Sequence, residues 1–435
     1  MSKEKVLLLV VGTGAEHKSR SAYMSVIIKA ITKAAAQTVV LIFSQNNVSV
    51  SLVAEIKEKC GSDYDIRQEQ FSVANMEFHA DACYEWFDNL VKQYASKHII
   101  ADITHGTKAM SAALYAVALH YNITDFQYVV KKVDDVGNFI EGAEIIEQFD
   151  ASYARWQNIL KQCRTLFASR QYRAVKEILS DEKPPKKLKR LVEMCKILSD
   201  FCSAWDRFDY VTAHTNIIPV PIPEVNYKYD EKIMETLELL TKDLITYNYE
   251  GGHTLTTKDF EQNINTALYL MFDLYANGLR RLDNAQYEDA NIRAYRMAEL
   301  LGQIHLMKKG YMSDYMPISD KKVSEFAEMN GWKSSAKSDF CKPFGRKDVI
   351  KFLDYIGYDS KIVKYLTDME KQVEQRNKSI LTHGYSAKAD DKDALKKVFD
   401  NLIIQTKCFI SEEDFNQRIN TALFLNNNFK ADNNE

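Results

Sequence analysis

Residues 98–110 read HIIADITHGTKAM, and this stretch decides the fold class of the first third of the chain. Residues 98–103 form an apolar run that is typical of a β-strand covered on both faces. A break of small and polar residues follows, and it consists of Thr104, His105, Gly106, Thr107 and Lys108. Residues 109–120 then have helical periodicity. A buried strand, a tight loop and a helix form the repeating unit of a parallel sheet with helices on its faces.

The same alternation continues on both sides of this stretch. Residues 5–11 form a first apolar strand, which Gly12, Thr13 and Gly14 end. Further strands are predicted at 38–43, 66–71, 126–133 and 144–149, and helices at 20–33, 50–59 and 78–94. The predicted fold is therefore an α/β Rossmann-like N-terminal domain over residues 1–150, with a doubly wound and largely parallel sheet.

After residue 149 the strand pattern ends, and an all-α C-terminal helical region is expected. Helices are predicted at 152–170, 172–179, 188–210, 231–247, 272–282, 287–301, 321–329, 347–355, 362–375, 392–410 and 414–425, with Thr256 as an N-cap candidate. We divide this region into a helical linker domain at 151–253, a helical bundle at 254–428 and a frayed polar tail at 429–435. A lysine-rich segment at 183–190 is interpreted as a solvated surface.

Composition limits the classes of function. The chain has 435 residues, which predicts two or three domains, and its formal net charge of −3 argues against a general nucleic-acid coat. Its 7 cysteines form no CxxC pair, which excludes the usual zinc spacings and favours reduced thiols in a cytoplasm. We expect no signal peptide, since residues 6–11 lack a cleavage site, and no membrane span.

Ligands of such sheets bind at the carboxyl ends of the strands. The candidates there are Gly12, Thr13, Gly14, Ser44 and the loop from Thr104 to Lys108. That loop places hydroxyls, a glycine and a lysine at a helix N-terminus, which predicts a phosphate seat. A dinucleotide fingerprint is weakly supported, because the third glycine is missing. The alternative is structural: a solvating lysine and a turn glycine.

A second candidate site is the pair Arg376 and His383 near the end of a predicted helix. Seven residues are about two helical turns, so both side chains can lie near one face. A guanidinium can hold a phosphate while an imidazole transfers protons. No metal is needed if the attacking group is the 2′-hydroxyl of RNA. The alternative is a pair of ordinary surface residues.

Three segments resemble known families. Residues 102–111, DITHGTKAMS, are similar to the signature of CARF domains, which sense cyclic oligoadenylates, although His105 stands where that family often has a second glycine. Residues 287–299, with Arg293 and Arg296 one turn apart and Glu299 available to pair, resemble an early HEPN helix. Arg376 and Asn377 followed by His383 resemble the HEPN ribonuclease signature. The chain is thus similar to CARF–HEPN ribonucleases of type III CRISPR systems.

This resemblance implies a cytoplasmic homodimer that binds one cyclic tetra- or hexa-adenylate at the N-terminal loops and needs no cofactor. Two Arg376/His383 pairs would then form one composite site that cuts single-stranded RNA without metal. Arg376 would stabilise the transition state and His383 would transfer protons. Asn377 would orient the phosphate, with support from Ser379. Neither DNA nor a membrane is expected as a partner.

Two other functions stay open. The helical bundle could be a non-catalytic module that binds a partner. Alternatively, the N-terminal loops could themselves cleave the cyclic messenger, with Lys108, Thr13 and Thr107 positioning a 2′-hydroxyl for in-line attack.

Overall fold

The computed structural model describes residues 4–11, 20–44, 50–71, 80–130, 132, 143–181, 183–242, 244–245, 255–332, 340–373 and 392–429. The chain divides into two compact units. The N-terminal unit comprises residues 1–160 and 183–189, and the C-terminal unit comprises residues 161–182 and 190–435.

The N-terminal unit is built on one six-stranded sheet. Its strands are β1 (Lys5–Val11), β2 (Thr38–Ser44), β3 (Asp65–Phe71), β4 (His98–Asp102), β5 (Asp125–Val130) and β6 (Ile145–Asp150). They lie in the order β3-β2-β1-β4-β5-β6, and all neighbours are parallel except β5 and β6. The predicted Rossmann-like fold with a largely parallel sheet is confirmed.

Helices cover both faces of this sheet. They are α1 (Arg20–Ala34), α2 (Val50–Cys60), α3 (Ala80–Tyr94) and α4 (Lys108–His120). Alternate residues of β1 enter different cores, since Val6, Leu8 and Val10 pack with α3 and α4, whereas Leu7 and Leu9 pack with α1 and α2. This double burial is why β1 reads as an uninterrupted apolar run.

The rest of the chain is helical. The helices are α5 (Ser152–Ala168), α6 (Tyr172–Ser180), α7 (Lys189–Asp206), α8 (Tyr210–Asn216), α9 (Glu231–Leu240), α10 (Thr257–Asp283), α11 (Tyr287–Met307), α12 (Lys321–Met329), α13 (Arg346–Tyr355), α14 (Ser360–Val373), α15 (Lys392–Ile404), α16 (Glu412–Ala422) and α17 (Phe424–Asn427). Beyond β6, extended pairing in the described residues is limited to isolated bridges. The predicted all-α C-terminal region is confirmed.

One core joins helices α10 to α16 of the C-terminal unit, and α10 and α11 lie side by side within it. Gly278 of α10 brings Phe399 of α15 close, because a β-carbon at this position would overlap the phenyl ring. The prediction of Thr256 as an N-cap is confirmed. Its hydroxyl accepts the N–H of Asp259, whose carboxylate in turn accepts the N–H of Thr256, which completes a capping box.

Several predicted helices differ from the structure. The helix predicted at 231–247 ends at Leu240, and the one predicted at 272–282 is part of the longer α10, which begins at Thr257. The predicted helix at 188–210 ends at Asp206, because Phe208 has a left-handed φ of 64° that no α-helix continues. A new helix, α8, then begins after Asp209, whose carboxylate accepts the N–H of Thr212. The helix predicted at 392–410 ends at Ile404 and continues as a 3-10 turn. No helix in the described parts of the chain is long and apolar enough to cross a membrane.

Candidate functional site

The candidate ligand loop lies between β4 and α4, at the point where the strand order reverses. From β1 the chain first adds β2 and β3 on one side, and then crosses to β4 on the other. Leu9 lies opposite Asp102, so β1 runs two residues past the end of β4. The loop after β4 therefore lies beside the carboxyl end of β1, where doubly wound sheets bind ligands.

Asp102 fixes the start of this loop. Its side chain is fully buried, and its carboxylate has two donors. Oδ1 accepts the backbone N–H of Thr104 at 2.9 Å, and Oδ2 accepts the side-chain amide of Gln127 at 2.9 Å. A buried carboxylate is stable only when hydrogen bonds replace its hydration, so both donors are needed to hold this turn.

The two threonines of the loop use their oxygens in the same way. Oγ1 of Thr104 accepts the N–H of Val129 in β5 at 3.0 Å. Oγ1 of Thr107 accepts the N–H of Met110 at 3.2 Å and caps α4. A hydroxyl that accepts an N–H retains its own hydrogen for donation. Each threonine can therefore donate to a ligand while it holds the loop.

Gly106 satisfies two separate requirements at once. Its φ of +91° lies in the left-handed region, which L side chains rarely adopt. A β-carbon here would also lie 2.6 Å from Cγ1 of Val10. The structure therefore supports the turn-glycine interpretation, and it adds a close approach to β1 that brings the loop against the end of the strand.

His105 and Lys108 lie in different environments within this loop. The His105 ring packs against Tyr23 of α1, with 4.9 Å between ring centroids, and the His105 carbonyl accepts the Ser111 hydroxyl at 3.1 Å. Lys108 is exposed and is the first residue of α4, where backbone N–H groups have no partner within the helix. This short loop thus supplies an ammonium, two hydroxyls and a helix N-terminus, which are groups that bind phosphate.

The remaining candidates for ligand binding are Gly12, Thr13, Gly14 and Ser44. Gly12, Thr13 and Gly14 lie outside the described residues. Ser44 is the last residue of β2 and lies opposite Phe71 of β3, so its backbone is at the same end of the sheet as the loop.

The candidate nuclease motif also lies outside the described residues. This concerns Arg376, Asn377, Ser379 and His383. The described chain before them ends with α14 at Val373, and this helix carries one partner of a buried ion pair.

Arg346 and Glu370 form this pair, and each is 8% exposed. Arg346 Nη2 donates to Glu370 Oε1 at 2.9 Å, and the guanidinium lies 4.1 Å from the ring centroid of Tyr295. The contacts join α13, α14 and α11 and fix the last turns of α14 before the motif. The pair was not predicted. Helical periodicity does place Glu370 on the buried face with Val363 and Leu366, which is the signal that could have found it.

The paired arginines of α11 behave as a salt-bridged helix, as predicted. Arg296 contacts Glu299 at 2.5 Å, and Arg293 contacts Asp289 at 3.1 Å. Arg293 also donates to Asn277 of α10 at 2.9 Å. Both arginines line a cavity of about 370 Å³ with apolar walls.

The remaining histidine of interest, His305, is structural. Burial lowers its pKa to about 4, and its Nδ1 lies 3.0 Å from the Tyr358 hydroxyl. A neutral, enclosed imidazole is poorly placed for proton transfer to a substrate. Within the described ranges, no three His, Cys, Asp or Glu side chains gather in a way that could hold a metal ion.

Comparison with known proteins agrees with this architecture. Residues 260–406 match the family described as the Csm6 HEPN domain. No curated protein matches the chain. Among solved structures, Enterococcus italicus Csm6 bound to cyclic hexa-2′-fluoro-hexa-dAMP is similar, with a TM-score of 0.59 and 12% sequence identity over 97% of this chain and 99% of that one. Residues 260–406 thus match the Csm6 HEPN family, and the fold of the whole chain is similar to that of Csm6.

Proposed function

We propose that this protein is a ribonuclease of type III CRISPR defence that a cyclic oligoadenylate activates. The observation that supports the proposal is the loop between β4 and α4, in which Thr107 caps α4, Lys108 is the first residue of that helix, and Thr104 is bound to β5. A ring of phosphodiesters supplies the negative charge that this seat lacks. The HEPN match of the C-terminal unit supports the ribonuclease half of the proposal.

The activator is proposed to be cyclic hexa-adenylate. The similar Enterococcus italicus structure contains a hexameric ring, which favours six adenylates over four. A ring with two-fold symmetry can present the same phosphates to two copies of the loop, so we propose a homodimer with the ring on its axis. Gly12, Thr13, Gly14 and Ser44 would complete the seat from the neighbouring strand ends.

The proposed reaction is transesterification within single-stranded RNA. The 2′-oxygen attacks the adjacent phosphorus, the bond to the 5′-oxygen breaks, and the products are a 2′,3′-cyclic phosphate and a 5′-hydroxyl. His383 would take the proton of the 2′-hydroxyl or deliver one to the leaving oxygen, and Arg376 would neutralise the developing charge. Asn377 and Ser379 would orient the phosphate. The RNA supplies its own nucleophile, so the reaction requires neither a metal nor a cofactor.

Two further features belong to the proposal. All seven cysteines are free thiols, which fits a cytoplasmic protein. Partners would be the RNA substrate, the cyclic activator and a second copy of the chain.

Cleavage of a fluorescent single-stranded RNA in EDTA tests this function. Wild type, His383→Ala and Arg376→Ala are each incubated with cyclic tetra-adenylate, cyclic hexa-adenylate or no activator. We expect cleavage by wild type with the hexamer, and a loss of roughly 10²–10⁴-fold in His383→Ala. His120→Ala, which removes an exposed histidine of the N-terminal unit, is the matched control and should cleave normally.

The outcomes separate the candidate functions. Binding of a ring without RNA cleavage would refute the ribonuclease and leave a sensor that signals through a partner. Linear adenylates among the products would show that the N-terminal loop also opens the ring, with Lys108 or Thr107 as the residues to substitute next.

A further inference from the structure

The side chain of Gln127 makes a junction inside the N-terminal unit. Gln127 lies on β5 and is fully buried. Its Nε2 donates to the Asp102 carboxylate at 2.9 Å and to the carbonyl of Ala30 in α1 at 3.2 Å. Its Oε1 accepts the side-chain amide of Gln148 at 3.4 Å. One amide group therefore connects β4, α1 and β6.

The backbone around Gln127 holds the same loop. The carbonyl of Gln127 accepts the N–H of Ile103 at 3.1 Å, which extends the β4–β5 pairing one residue past the end of β4. Two residues further, the N–H of Val129 donates to the Thr104 hydroxyl. Residues 102, 103 and 104 are therefore each tied to β5, and two of the three ties come from Gln127.

The chemistry of the junction shows why an amide is needed. A buried polar side chain costs free energy that an apolar residue of similar volume would not. Asp102 has two donors, the N–H of Thr104 and the amide of Gln127. If Gln127 were apolar, the carboxylate would keep one donor, and it would have to rotate or recruit water. Either change would release the turn at Thr104.

The same amide reaches the helix that follows the β1 loop. Ala30 lies on α1, and α1 also carries Tyr23, whose ring packs against His105 in the loop. The loop after β4 is thus linked to α1 in two ways, directly through the His105 ring and indirectly through Gln127. The helix α1 begins at Arg20 and is the next element in the sequence after β1. Gln127 therefore fixes the loop after β4 relative to α1.

We propose that Gln127 is a positioning residue for the cyclic activator. It touches neither ring nor RNA, and it holds the Thr104 turn and α1 in the arrangement that the phosphates of the ring require. This inference rests on the proposed function. It predicts that substitutions at Gln127 change the affinity for the activator, while the rate of RNA cleavage at saturating activator stays the same.

The test measures two quantities in the full-length protein. Isothermal calorimetry gives the Kd for cyclic hexa-adenylate, and RNA cleavage gives the maximal rate at saturating activator. For Gln127→Leu we expect a Kd about ten-fold higher or more, as the loss of one charge-assisted hydrogen bond implies, and a maximal rate within about two-fold of wild type.

A second variant tests the donor itself. Gln127→Glu places a carboxylate against that of Asp102, so binding should weaken more than in Gln127→Leu. Adding Asp102→Asn supplies an amide that can donate to the new carboxylate, and we expect this double variant to recover part of the affinity. Recovery of affinity by a second polar change is not what a role in general stability predicts.

Two controls make the outcomes decisive. Gln68→Leu is the same change at an exposed position on β3, at the far edge of the sheet, and should bind as wild type does. Ile56→Ala removes buried volume from α2 and destabilises the same unit without touching the loop. If Ile56→Ala weakens binding as much as Gln127→Leu, or if Gln127→Leu binds normally, the positioning role is refuted. If wild type binds neither ring, the proposed function fails first, and this inference fails with it.

Discussion

Substitution of Gly106 by alanine should combine two separate costs that the structure allows us to estimate. The backbone φ of +91° costs an L-residue about 1–2 kcal/mol. The new β-carbon would lie 2.6 Å from Cγ1 of Val10, far inside the optimal carbon–carbon separation of about 3.5–4.0 Å. Overpacking of this kind typically costs about 1–3 kcal/mol. We therefore expect Gly106→Ala to lower the free energy of unfolding of the N-terminal unit by roughly 2–5 kcal/mol.

Gly61→Ala separates the two costs. Gly61 also has a left-handed φ, of +77°, but no heavy atom lies within 4 Å of its β-carbon position. It should therefore show the backbone cost alone, about 1–2 kcal/mol. Hydrogen exchange of peptides from β1 and β4 under increasing urea reports on this unit specifically. The difference between the two variants measures the overlap with Val10.

A double-mutant cycle then identifies the contact. Val10→Ala removes the methyl group that the new β-carbon would meet, so the two substitutions together should cost less than their sum by about 1–3 kcal/mol. Binding of cyclic hexa-adenylate should fall in Gly106→Ala and recover in the double variant. Equal destabilisation at Gly106 and Gly61, with unchanged ligand binding, would show that the loop is not held against the end of β1.

Three other predictions concern the C-terminal unit. Arg346→Met leaves the buried Glu370 carboxylate with only the exposed Lys347 ammonium, 3.7 Å away, and should lower the free energy of unfolding in urea by up to roughly 3–5 kcal/mol and impair RNA cleavage. Arg346→Met combined with Glu370→Leu should regain most of the stability. Burial holds the pKa of His305 at about 4, below its unfolded value near 6.5, so the unfolded state binds more protons between these pH values. The free energy of unfolding should therefore fall by up to roughly 3 kcal/mol as the pH drops from 6.5 to 4. In His305→Asn, the urea concentration at half-unfolding should depend less on pH over the same range. Thr256→Ala should cost about 1 kcal/mol in the same urea assay, since Asp259 loses its capping partner, while Thr256→Ser should not.

The sheet could be predicted from the sequence because a strand that is buried on both faces consists of consecutive apolar residues. β1 and β4 are short apolar runs between helices, and that pattern has few solutions other than a parallel sheet. It was not sufficient where one residue overrides periodicity. Leu188 to Tyr210 reads as one helix by its apolar spacing, yet Phe208 adopts a left-handed φ and Asp209 caps a second helix. A possible cap residue within a stretch of helical periodicity is weak evidence for a helix boundary unless the backbone conformation is known.

The candidate site also has a part that the sequence predicts and a part that it does not. The position of the loop from Thr104 to Lys108 between β4 and α4 was predictable, since the loop is local in sequence and ends at a helix start. The groups that hold it were not. Gln127 lies 25 residues from Asp102 along the chain, and only the register of β4 against β5 brings the two side chains together. A polar residue in an apolar strand indicates that it has a buried hydrogen-bond partner, but the sequence does not show which residue that partner is.

The same arrangement recurs in each unit, and it explains what sequence motifs leave out. In the N-terminal unit, the loop that would bind the activator follows a strand whose last residue, Asp102, is buried and held by Gln127. In the C-terminal unit, the candidate motif from Arg376 to His383 comes after α14 in the sequence, and the buried Glu370 of that helix is held by Arg346. Each buried pair raises the cost of moving the element that leads into its motif, because a displaced carboxylate would lose a partner that water cannot replace. In each unit, a buried polar pair therefore ties the element that precedes the candidate motif to a neighbouring element of the fold.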